Sequence, residues 1–330
     1  MSPRVKRKPP LTRHLVGKGI FRDHPFGLVD VGVSGGMDAC WEVFGGDLRA
    51  VGFDGLVKEV ERLNATAGNS NRQYYSFLVG DKTYRAPQGV PNSEPFPRTS
   101  AARAIEIADS NGRSHSAGSN PVATEVIELS DFFMRAHPMD VDFIKVDTDG
   151  SDFQVLRGAK ELISSAPVLG LAVECQFHGL VHDESNTFRN IDRLVTALGF
   201  SLFDLEVYRY SRATLPKPFV YRLPAQTSGG QVLWGDALYL RDAGNIDYER
   251  DWSMALAREK ILKLACLFEV FGMEDCAAEL LLKYRSNLQE LVDVDVCLDL
   301  LTPRARFRKI SYRDYRKRFE QNPASFYPAR

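Results

Sequence analysis

Three carboxylates follow one apolar strand in the segment Val141–Ala159, VDFIKVDTDGSDFQVLRGA. The strand ends at Asp147, and Asp149 and Asp152 come shortly afterwards. Ligands of open parallel sheets bind in the crevice beyond the carboxyl ends of the strands, so we expect these acids to face a binding site. A plain turn at Asp149-Gly150 with Asp152 as a helix N-cap is the alternative, and it explains Asp147 badly.

A glycine-rich turn follows the first predicted strand and reads DVGVSGGM from Asp30. A dinucleotide fingerprint needs glycine at its first, third and sixth places, but Ser34 and Met37 hold the third and sixth. The acid-GxGxG pattern of loops that bind S-adenosylmethionine fits better, through Asp30, Gly32 and Gly36, with Ser34 replacing the middle glycine. Such glycines let the backbone approach a ligand, and the next helix presents N–H groups to a carboxylate.

Two further acids extend the predicted cofactor site. Asp54 ends the second predicted strand, about twenty residues after the glycine turn, where such folds place an acid that binds ribose. A simple turn at Asp54-Gly55 is the alternative. Asp81 follows the third predicted strand. The predicted cofactor-binding set is therefore Asp30, Gly32, Ser34, Gly36, Asp54 and Asp81.

The bulk composition is that of an ordinary globular protein. The chain has 330 residues, 44% hydrophobic and 26% charged, with a net charge of -1, which predicts an α/β domain plus an appendage and no preference for nucleic acid. Five scattered cysteines without a CxxC pair support neither a disulfide framework nor a zinc ribbon. No apolar run approaches the roughly 20 residues of a membrane span, and the basic N-terminus lacks the apolar core of a signal peptide. We therefore predict a cytoplasmic protein.

Strands alternate with helices from Phe26 onward, which predicts right-handed βαβ units and a parallel sheet. The predicted strands are GLVDVG ending at Gly32, Arg49–Phe53, Tyr75–Val79, Val141–Val146, Val168–Cys175, Ser201–Tyr210 and Ala237–Arg241, the last two forming an antiparallel hairpin. The predicted helices are Met37–Phe44, Leu56–Asn64, one that starts at a capping box of Ser151 and Gln154, Thr187–Leu198, Trp252–Phe271 and Glu274–Tyr284. Residues Glu125–Ala136 are predicted as a helical or edge element.

The residue composition changes along the chain and predicts three parts. Residues 1–24 are rich in Pro, Lys and Arg and are interpreted as a loosely held basic arm. Residues 25–245 form the ligand-binding domain, and 246–330 form a helical extension with a basic tail, a candidate homo-oligomer contact. The loop 86–121 contains five prolines and interrupts the domain. Long loops in compact domains are usually functional or disordered, and we interpret this one as a lid or substrate loop.

These residues resemble the FkbM-type S-adenosylmethionine-dependent methyltransferases. The family's signature strand, I-D-F-I-K-I-D-V-E-G-x-E followed by V-L-x-G-A, is similar to Val141–Ala159. Its V-D-V-G-A-N-x-G, F-E-P, fifth-strand E-x and D-x-L-F-V-R are similar, in that order, to Val29–Gly36, Phe53–Gly55, Val173–Glu174 and Asp236–Arg241. The departures are Asp149 and Asp152 in place of glutamates, Gly55 in place of proline, and Ser34-Gly35 in the glycine turn.

The resemblance implies a doubly wound, mostly parallel Rossmann-like α/β sheet of the class I methyltransferase type, with the last strand antiparallel. It also implies S-adenosylmethionine as cofactor and methyl transfer to a hydroxyl of a saccharide or glycosylated natural product. On this interpretation Asp147 faces the acceptor and takes or orients its proton. Lys145 shares a strand face with Asp147 and is expected to pair with an acid, and His178 is a candidate base.

Alternatives remain open for the carboxylates and for the activity. Asp147, Asp149 and Glu174 could hold Mg²⁺, which prefers oxygen ligands, although hydrogen bonding of these acids is the favoured interpretation. A non-catalytic methyltransferase-like module that holds partners through its helical end is the second functional hypothesis. A nicotinamide-dependent oxidoreductase is disfavoured by the glycine turn. The expected partner is a small-molecule or saccharide acceptor.

Overall fold

The computed structural model describes residues 5–6, 8–67, 71–85, 121–179, 182–212, 215, 218–219, 226–303 and 310–326. The predicted loop 86–121 lies outside the described residues, apart from Pro121. By their contacts the residues form two compact units. The sheet unit contains Gly27–Met37 and Arg49–Arg241, and the helical unit contains Pro3–Phe26, Asp38–Leu48 and Asp242–Arg330.

The described strands are β1 (Phe26–Val31), β2 (Leu48–Phe53), β3 (Arg72–Tyr75), β4 (Leu78–Gly80), β5 (Tyr84–Arg85), β6 (Glu125–Glu128), β7 (Phe143–Val146), β8 (Gly170–Gln176), β9 (Ser201–Tyr210) and β10 (Gln231–Leu240). The main sheet has seven strands in the order β3-β2-β1-β7-β8-β10-β9. The pairs β2–β3, β1–β7 and β7–β8 are parallel, and β10 is antiparallel to both β8 and β9. This order confirms the predicted Rossmann-like sheet with an antiparallel last strand.

The described α-helices are α1 (Pro10–Gly17), α2 (Val57–Ala67), α3 (Leu129–Asp131), α4 (Asp152–Gly158), α5 (Lys160–Ser165), α6 (Phe188–Thr196), α7 (Tyr248–Trp252), α8 (Arg258–Val270), α9 (Glu274–Lys283), α10 (Arg285–Leu288), α11 (Val294–Leu301) and α12 (Tyr312–Gln321). Residues Ala39–Asp47 and Pro323–Phe326 form 3₁₀ helices, and Phe132–Ala136 form a π-helical turn. None of the helices in the described ranges combines the length and apolarity that a membrane crossing needs.

The two faces of the main sheet differ in chemistry because successive side chains of a strand alternate between them. One face carries Val31, Val146 and Val173, which belong to a continuous buried apolar core. The opposite face of β1 and β7 carries Asp30 and Lys145, which lie side by side in the register of the strands. The polar residues at the carboxyl edge of the sheet therefore lie on one side of it.

The predicted third strand is wrong in extent. The chain leaves the main sheet after Tyr75, and β4 joins a separate three-stranded sheet in the order β4-β6-β5. The rings of Tyr75 and Phe77 both pack against Phe132, with centroid distances of 5.2 and 6.4 Å. This contact spans more than fifty residues of sequence, so no local pattern could indicate that the strand is interrupted.

The N-terminal residues are not a loosely held arm. Helix α1 buries Leu11 and Leu15 completely, and the amides of Leu11 and Thr12 donate to the Glu269 carboxylate at 2.8 and 2.7 Å. The Glu269 side chain thereby caps the positive end of α1 from α8. For the described part of residues 1–24, the predicted arm is corrected to a packed helix.

The predicted helical extension is present, with different limits. The helix predicted over Trp252–Phe271 begins at Arg258, as α8, and α7 precedes it. The second predicted helix, Glu274–Tyr284, corresponds to α9, and Gly272 has a φ of 76° between the two. Of the predicted basic tail, residues 304–309 lie outside the described ranges. The described part of that tail forms α12, which has no buried residue.

Candidate active site

The carboxyl end of β7 lies against the glycine turn that follows β1. The Asp147 amide donates to the Val31 carbonyl at 2.9 Å. A Cβ added at Gly32 would lie 1.8 Å from the Asp147 carbonyl oxygen, and Gly32 has a φ of 83°. This close approach therefore requires glycine. The side chain of Asp147 is 45% exposed, so the acid predicted to face the acceptor is accessible at the sheet edge.

Lys145 lies between two carboxylates on the polar face of the sheet. Its Nζ is 3.3 Å from Asp30 Oδ1 and 3.2 Å from Asp147 Oδ2. Burial alone would lower the pKa of Lys145, but the charges of Asp30 and Asp147 outweigh it and raise that pKa. Asp30 is 1% exposed, so the lysine balances a charge that would otherwise be buried without compensation. The structure thus brings together Asp30, Lys145 and Asp147.

The glycine turn is tied to helix α2. Gly35 and Gly36 have φ values of 83° and 98°, and the Gly35 amide donates to Glu59 Oε1 at 2.9 Å. Hydrogen bonds from Arg62 and from the Gly35 amide lower the pKa of Glu59 to about 2. Ser34, which replaces a glycine of the expected pattern, is exposed. Sequence reasoning missed Glu59, because its only local signal is its place in the first turn of a helix.

Asp54 lies beside the same turn. It is 8% exposed, and its Oδ1 accepts a hydrogen bond from the Leu56 amide at 2.8 Å. Burial raises the pKa of Asp54, while backbone hydrogen bonds from Leu56 and Ser34 oppose the shift. The local turn and the proposed ligand-binding role are compatible, because the turn holds the carboxylate next to the glycine loop.

Asp152 is a structural acid. It is fully buried, and its Oδ1 accepts from the Thr148 amide and hydroxyl at 2.9 and 3.1 Å. Its Oδ2 accepts from Asn186 Nδ2 at 2.8 Å, and Asn186 Oδ1 accepts from the Phe153 amide. Burial raises the pKa of Asp152 to about 6, against the hydrogen bonds. Asn186 was missed by sequence reasoning, because it lies 34 residues away in the chain.

The predicted capping box before α4 is wrong. In the described structure Ser151, the N-cap residue, makes no side-chain cap hydrogen bond. Asp152 instead binds amides of the preceding turn, including that of Gly150 at 3.3 Å. A capping box needs an N-cap side chain that reaches the third residue of the helix. The three residues Thr148, Gly150 and Asp152 stabilise the turn in its place.

Asp149 and Glu174 share an environment that disfavours ionisation. Asp149 has a left-handed φ of 53°, which is uncommon for a residue other than glycine. Burial raises the pKa of Asp149, and the charges of Asp147 and Asp54 add to the shift. Burial likewise raises the pKa of Glu174 to about 9, with contributions from Asp147 and other nearby acids. Glu174 therefore carries a proton at neutral pH.

His178 follows β8 of the main sheet, and Asp81 follows β4 of the three-stranded sheet. The His178 ring packs edge-on against Trp234 with a centroid distance of 4.6 Å, and burial lowers its pKa, so the imidazole is neutral at pH 7. Asp81 follows β4, and its Oδ2 is 3.3 Å from Arg157. An ion pair to α4 thus occupies Asp81, and its role toward a cofactor stays a prediction.

The suggested magnesium site is not assembled. In the ranges that the structure describes, no group of three or more His, Cys, Asp or Glu side chains is arranged to hold a metal ion. Asp147 pairs instead with Lys145, and the pKa of Glu174 is raised. The Lys145 cation already balances the Asp147 carboxylate, and magnesium binding at Asp147, Asp149 and Glu174 stays a hypothesis.

In the main sheet β10 lies between β8 and β9 and runs antiparallel to both, which is the arrangement that the FkbM resemblance implied. Residues 30–202 match the family model of the methyltransferase FkbM domain, a little over half of the chain. The chain therefore belongs to the FkbM methyltransferase domain family, and this assignment supports S-adenosylmethionine as the methyl donor. No curated protein sequence matches the chain.

Solved methyltransferase structures show distant similarity to the chain. Methyltransferase FkbM from Methylobacillus flagellatus KT is 16% identical, with a TM-score of 0.38, and the match covers 66% of this chain and 43% of that one. Magnesium protoporphyrin IX methyltransferase from Synechocystis PCC 6803, with bound SAM, is 10% identical, with coverages of 71% and 80% and a TM-score of 0.29. TehB from Haemophilus influenzae is 12% identical, with coverages of 69% and 62% and a TM-score of 0.33. The chain thus spans less than half the length of the FkbM protein.

Proposed function

We propose that the protein is an S-adenosylmethionine-dependent O-methyltransferase that methylates a hydroxyl of a saccharide or glycosylated natural product. Membership of the FkbM family supports the methyl donor. The observation that carries the proposal is Asp147, an accessible carboxylate at the carboxyl end of the central strand. It is held there by Lys145, which is itself anchored on the buried Asp30. Ligand sites of open α/β sheets lie at this edge.

The residues around the glycine turn fit S-adenosylmethionine. Asp54 offers a buried carboxylate to a ribose hydroxyl, and hydrogen bonds from the Leu56 and Ser34 amides hold it beside the glycine turn. The positive φ values of Gly32, Gly35 and Gly36 shape a turn that a ligand can approach closely. When bound, the cofactor supplies an electrophilic methyl group. Asp81 is the remaining member of the proposed set, and its carboxylate pairs with Arg157.

In the proposed reaction Asp147 acts on the acceptor hydroxyl. An alcohol is a weak nucleophile until its proton is removed or oriented. The Asp147 carboxylate would take the hydroxyl proton as the acceptor oxygen receives the methyl group that bound S-adenosylmethionine would supply. Lys145, 3.2 Å from Asp147 Oδ2, is a positioning residue that fixes the carboxylate. His178, neutral near pH 7, is a second candidate base.

Two measurements test the proposal. Calorimetric titration with S-adenosylhomocysteine should show binding at one site per chain. Transfer of a radioactive methyl group from S-adenosylmethionine to a panel of saccharides and glycosides should label at least one of them at oxygen. Failure of S-adenosylhomocysteine to bind would contradict the proposal and favour a non-catalytic methyltransferase-like module. Binding with label found only on nitrogen or carbon would refute O-methylation.

A further inference from the structure

A row of acids crosses three neighbouring strands at the carboxyl edge of the sheet. Asp236 of β10 lies directly opposite Glu174 of β8 and, on its other side, opposite Glu206 of β9. We name these three residues the acidic row. Directly opposed residues of antiparallel strands have Cβ atoms about 4.5–5.5 Å apart, and like charges at such positions destabilise a sheet. Ionisation of all three acids together is therefore unfavourable, and the acidic row favours either a retained proton, as on Glu174, or a bound cation.

Buried oxygen atoms beside the acidic row lack hydrogen bonds. Glu174 Oε2, Gln176 Oε1 and Gln226 Oε1 are buried and have no hydrogen-bond partner among the described residues. Gln176 is 3% exposed and lies two positions beyond Glu174, on the same face of β8. Gln226 is 4% exposed, and its Nε2 is 3.5 Å from the Tyr210 hydroxyl. A buried acceptor without a donor is costly, so these oxygens point to a ligand that donates hydrogen bonds.

Aromatic rings line the same region. Trp234 lies opposite Gln176 in the sheet register. The centroid of the Trp234 ring is 4.6 Å from that of His178 and 5.2 Å from that of Tyr210, both edge-on. The charge of Glu174 raises the pKa of Tyr210, after burial, so this ring lies close to the acidic row. Aromatic faces beside carboxylates are the chemistry that binds organic ammonium groups.

A metal ion fits these observations less well than an organic cation. The described residues contain no group of three His, Cys, Asp or Glu side chains that converge on one point. The Tyr208 hydroxyl already donates to Asp236 Oδ2 at 2.6 Å. Spread-out acceptors and flat rings suit an ion larger than a bare metal, with several N–H donors of its own.

We infer that the methyl acceptor carries a protonated amino group, which Glu174, Asp236 and Gln176 bind beside the ring of Trp234. The inference rests on the proposed function and names its substrate class, an amine-bearing sugar or cyclitol. Val146, the last residue of β7, pairs with Val173 of β8. Continuing this parallel register by one residue places Asp147 beside Glu174. An acceptor anchored by its amine on the acidic row therefore presents a neighbouring hydroxyl to Asp147.

The test uses two probes of the same shape. trans-2-Aminocyclohexanol carries a protonated amine where trans-1,2-cyclohexanediol carries a hydroxyl. Each is titrated calorimetrically into the full chain saturated with S-adenosylhomocysteine, at physiological ionic strength. We expect the amine to bind about tenfold more tightly or better. Equal binding of the two probes, or no binding of either, would overturn the inference.

Proton release gives a second signature. Burial and neighbouring acids raise the pKa of Glu174 to about 9, so an ammonium ion that binds its carboxylate must displace about one proton near neutral pH. The binding enthalpy of the amine should then vary with the ionisation enthalpy of the buffer. The groups that face Glu174 in this linkage are Asp147, Asp149, Asp152, Asp236 and Tyr210.

Substitutions distinguish binding of the amine at the acidic row from its attraction to acidic residues elsewhere on the protein. Glu174→Gln and Asp236→Asn should each remove most of the preference for the amine, and Glu174→Gln should abolish the proton release. The matched control is Glu61→Gln, which removes an exposed acid from α2. A preference that survives in both site variants would exclude the acidic row. If S-adenosylhomocysteine itself does not bind, the proposed function fails; if it binds and the amine is not preferred, only this inference fails.

Discussion

At the carboxyl edge of the main sheet, acids lie both around β1 and β7 and around β8 and β10. The two groups differ in how their negative charge is balanced. Around β1 and β7, Lys145 pairs with Asp30 and Asp147. Around β8 and β10, no salt bridge within the described residues includes Glu174 or Asp236. Burial raises the pKa of Glu174 and, despite a hydrogen bond from Tyr208, that of Asp236. Lys145 thus balances the acids of one group, whereas burial and neighbouring carboxylates keep the pKa values of Glu174 and Asp236 raised in the other group.

This difference separates two tasks that a methyltransferase site must perform. In the proposed mechanism, a balanced ion pair holds the reacting carboxylate of Asp147 in one place before any ligand arrives. An unbalanced group of acids instead changes its ionisation when a ligand binds, as we infer for Glu174.

Asp147→Asn should lower the rate of methyl transfer by about 10²–10⁴-fold while the affinity for S-adenosylhomocysteine stays nearly unchanged. Asparagine keeps the shape of the side chain but cannot accept the hydroxyl proton. Single-turnover transfer and calorimetric titration measure the two quantities, with Glu61→Gln as the control. Turnover at the wild-type rate would make Asp147 a structural residue.

Lys145→Met should lower the free energy of unfolding by about 3–5 kcal/mol, because it leaves the Asp30 carboxylate buried without its cation. Urea unfolding at pH 7 measures this loss. Lys160→Met, an exposed position on α5, is the matched control and should change stability little. If the variant loses no more stability than the control, Lys145 does not balance the buried charge of Asp30 at the edge formed by β1 and β7.

Asp54→Ala should raise the dissociation constant of S-adenosylhomocysteine about ten- to a hundredfold, since a hydrogen bond to a charged group contributes about 1.5–3 kcal/mol. Calorimetric titration measures the constant, and Glu61→Gln again serves as the control. An unchanged constant would place the cofactor away from the turn between β2 and α2.

Glu174→Gln should change how stability depends on pH. The pKa of Glu174 is raised from 4.5 to about 9, so the folded chain holds a proton that the unfolded chain releases between these values. The stabilisation is complete below pH 4.5 and is lost as the pH rises through about 9, by at most about 1.4 kcal/mol per pH unit. The melting temperature of the wild type should therefore fall more steeply than that of the variant across this window. Parallel profiles would show that Glu174 ionises normally.

Sequence patterns predicted the elements that local forces control. The apolar run before Asp147 and the glycine at position 32 indicated a strand end and a tight turn, and both are present. Local patterns failed where a distant contact decided the outcome. The third strand is interrupted where Tyr75 and Phe77 meet Phe132.

The N-terminal residues show the same limit. Their composition suggested a loose arm, yet Leu11 and Leu15 are buried and Glu269 caps the helix that carries them. The composition of a short segment cannot reveal a packing partner that lies more than 250 residues away. The pairing of Asp147 with Lys145 is likewise a contact that the tertiary structure shows, and the described residues assemble no group of three acids, histidines or cysteines around a metal ion.

The sequence indicated the family, most strands of the main sheet, and the acid at the end of the central strand, because periodicity, turn residues and motif spacing are local properties. Only the tertiary structure decided which groups meet. It placed Lys145 between Asp30 and Asp147, Asn186 on Asp152, and Asp236 opposite Glu174. These pairings join distant parts of the chain, and they set charge and protonation at the sheet edge because strand register brings those side chains within a few ångströms of one another.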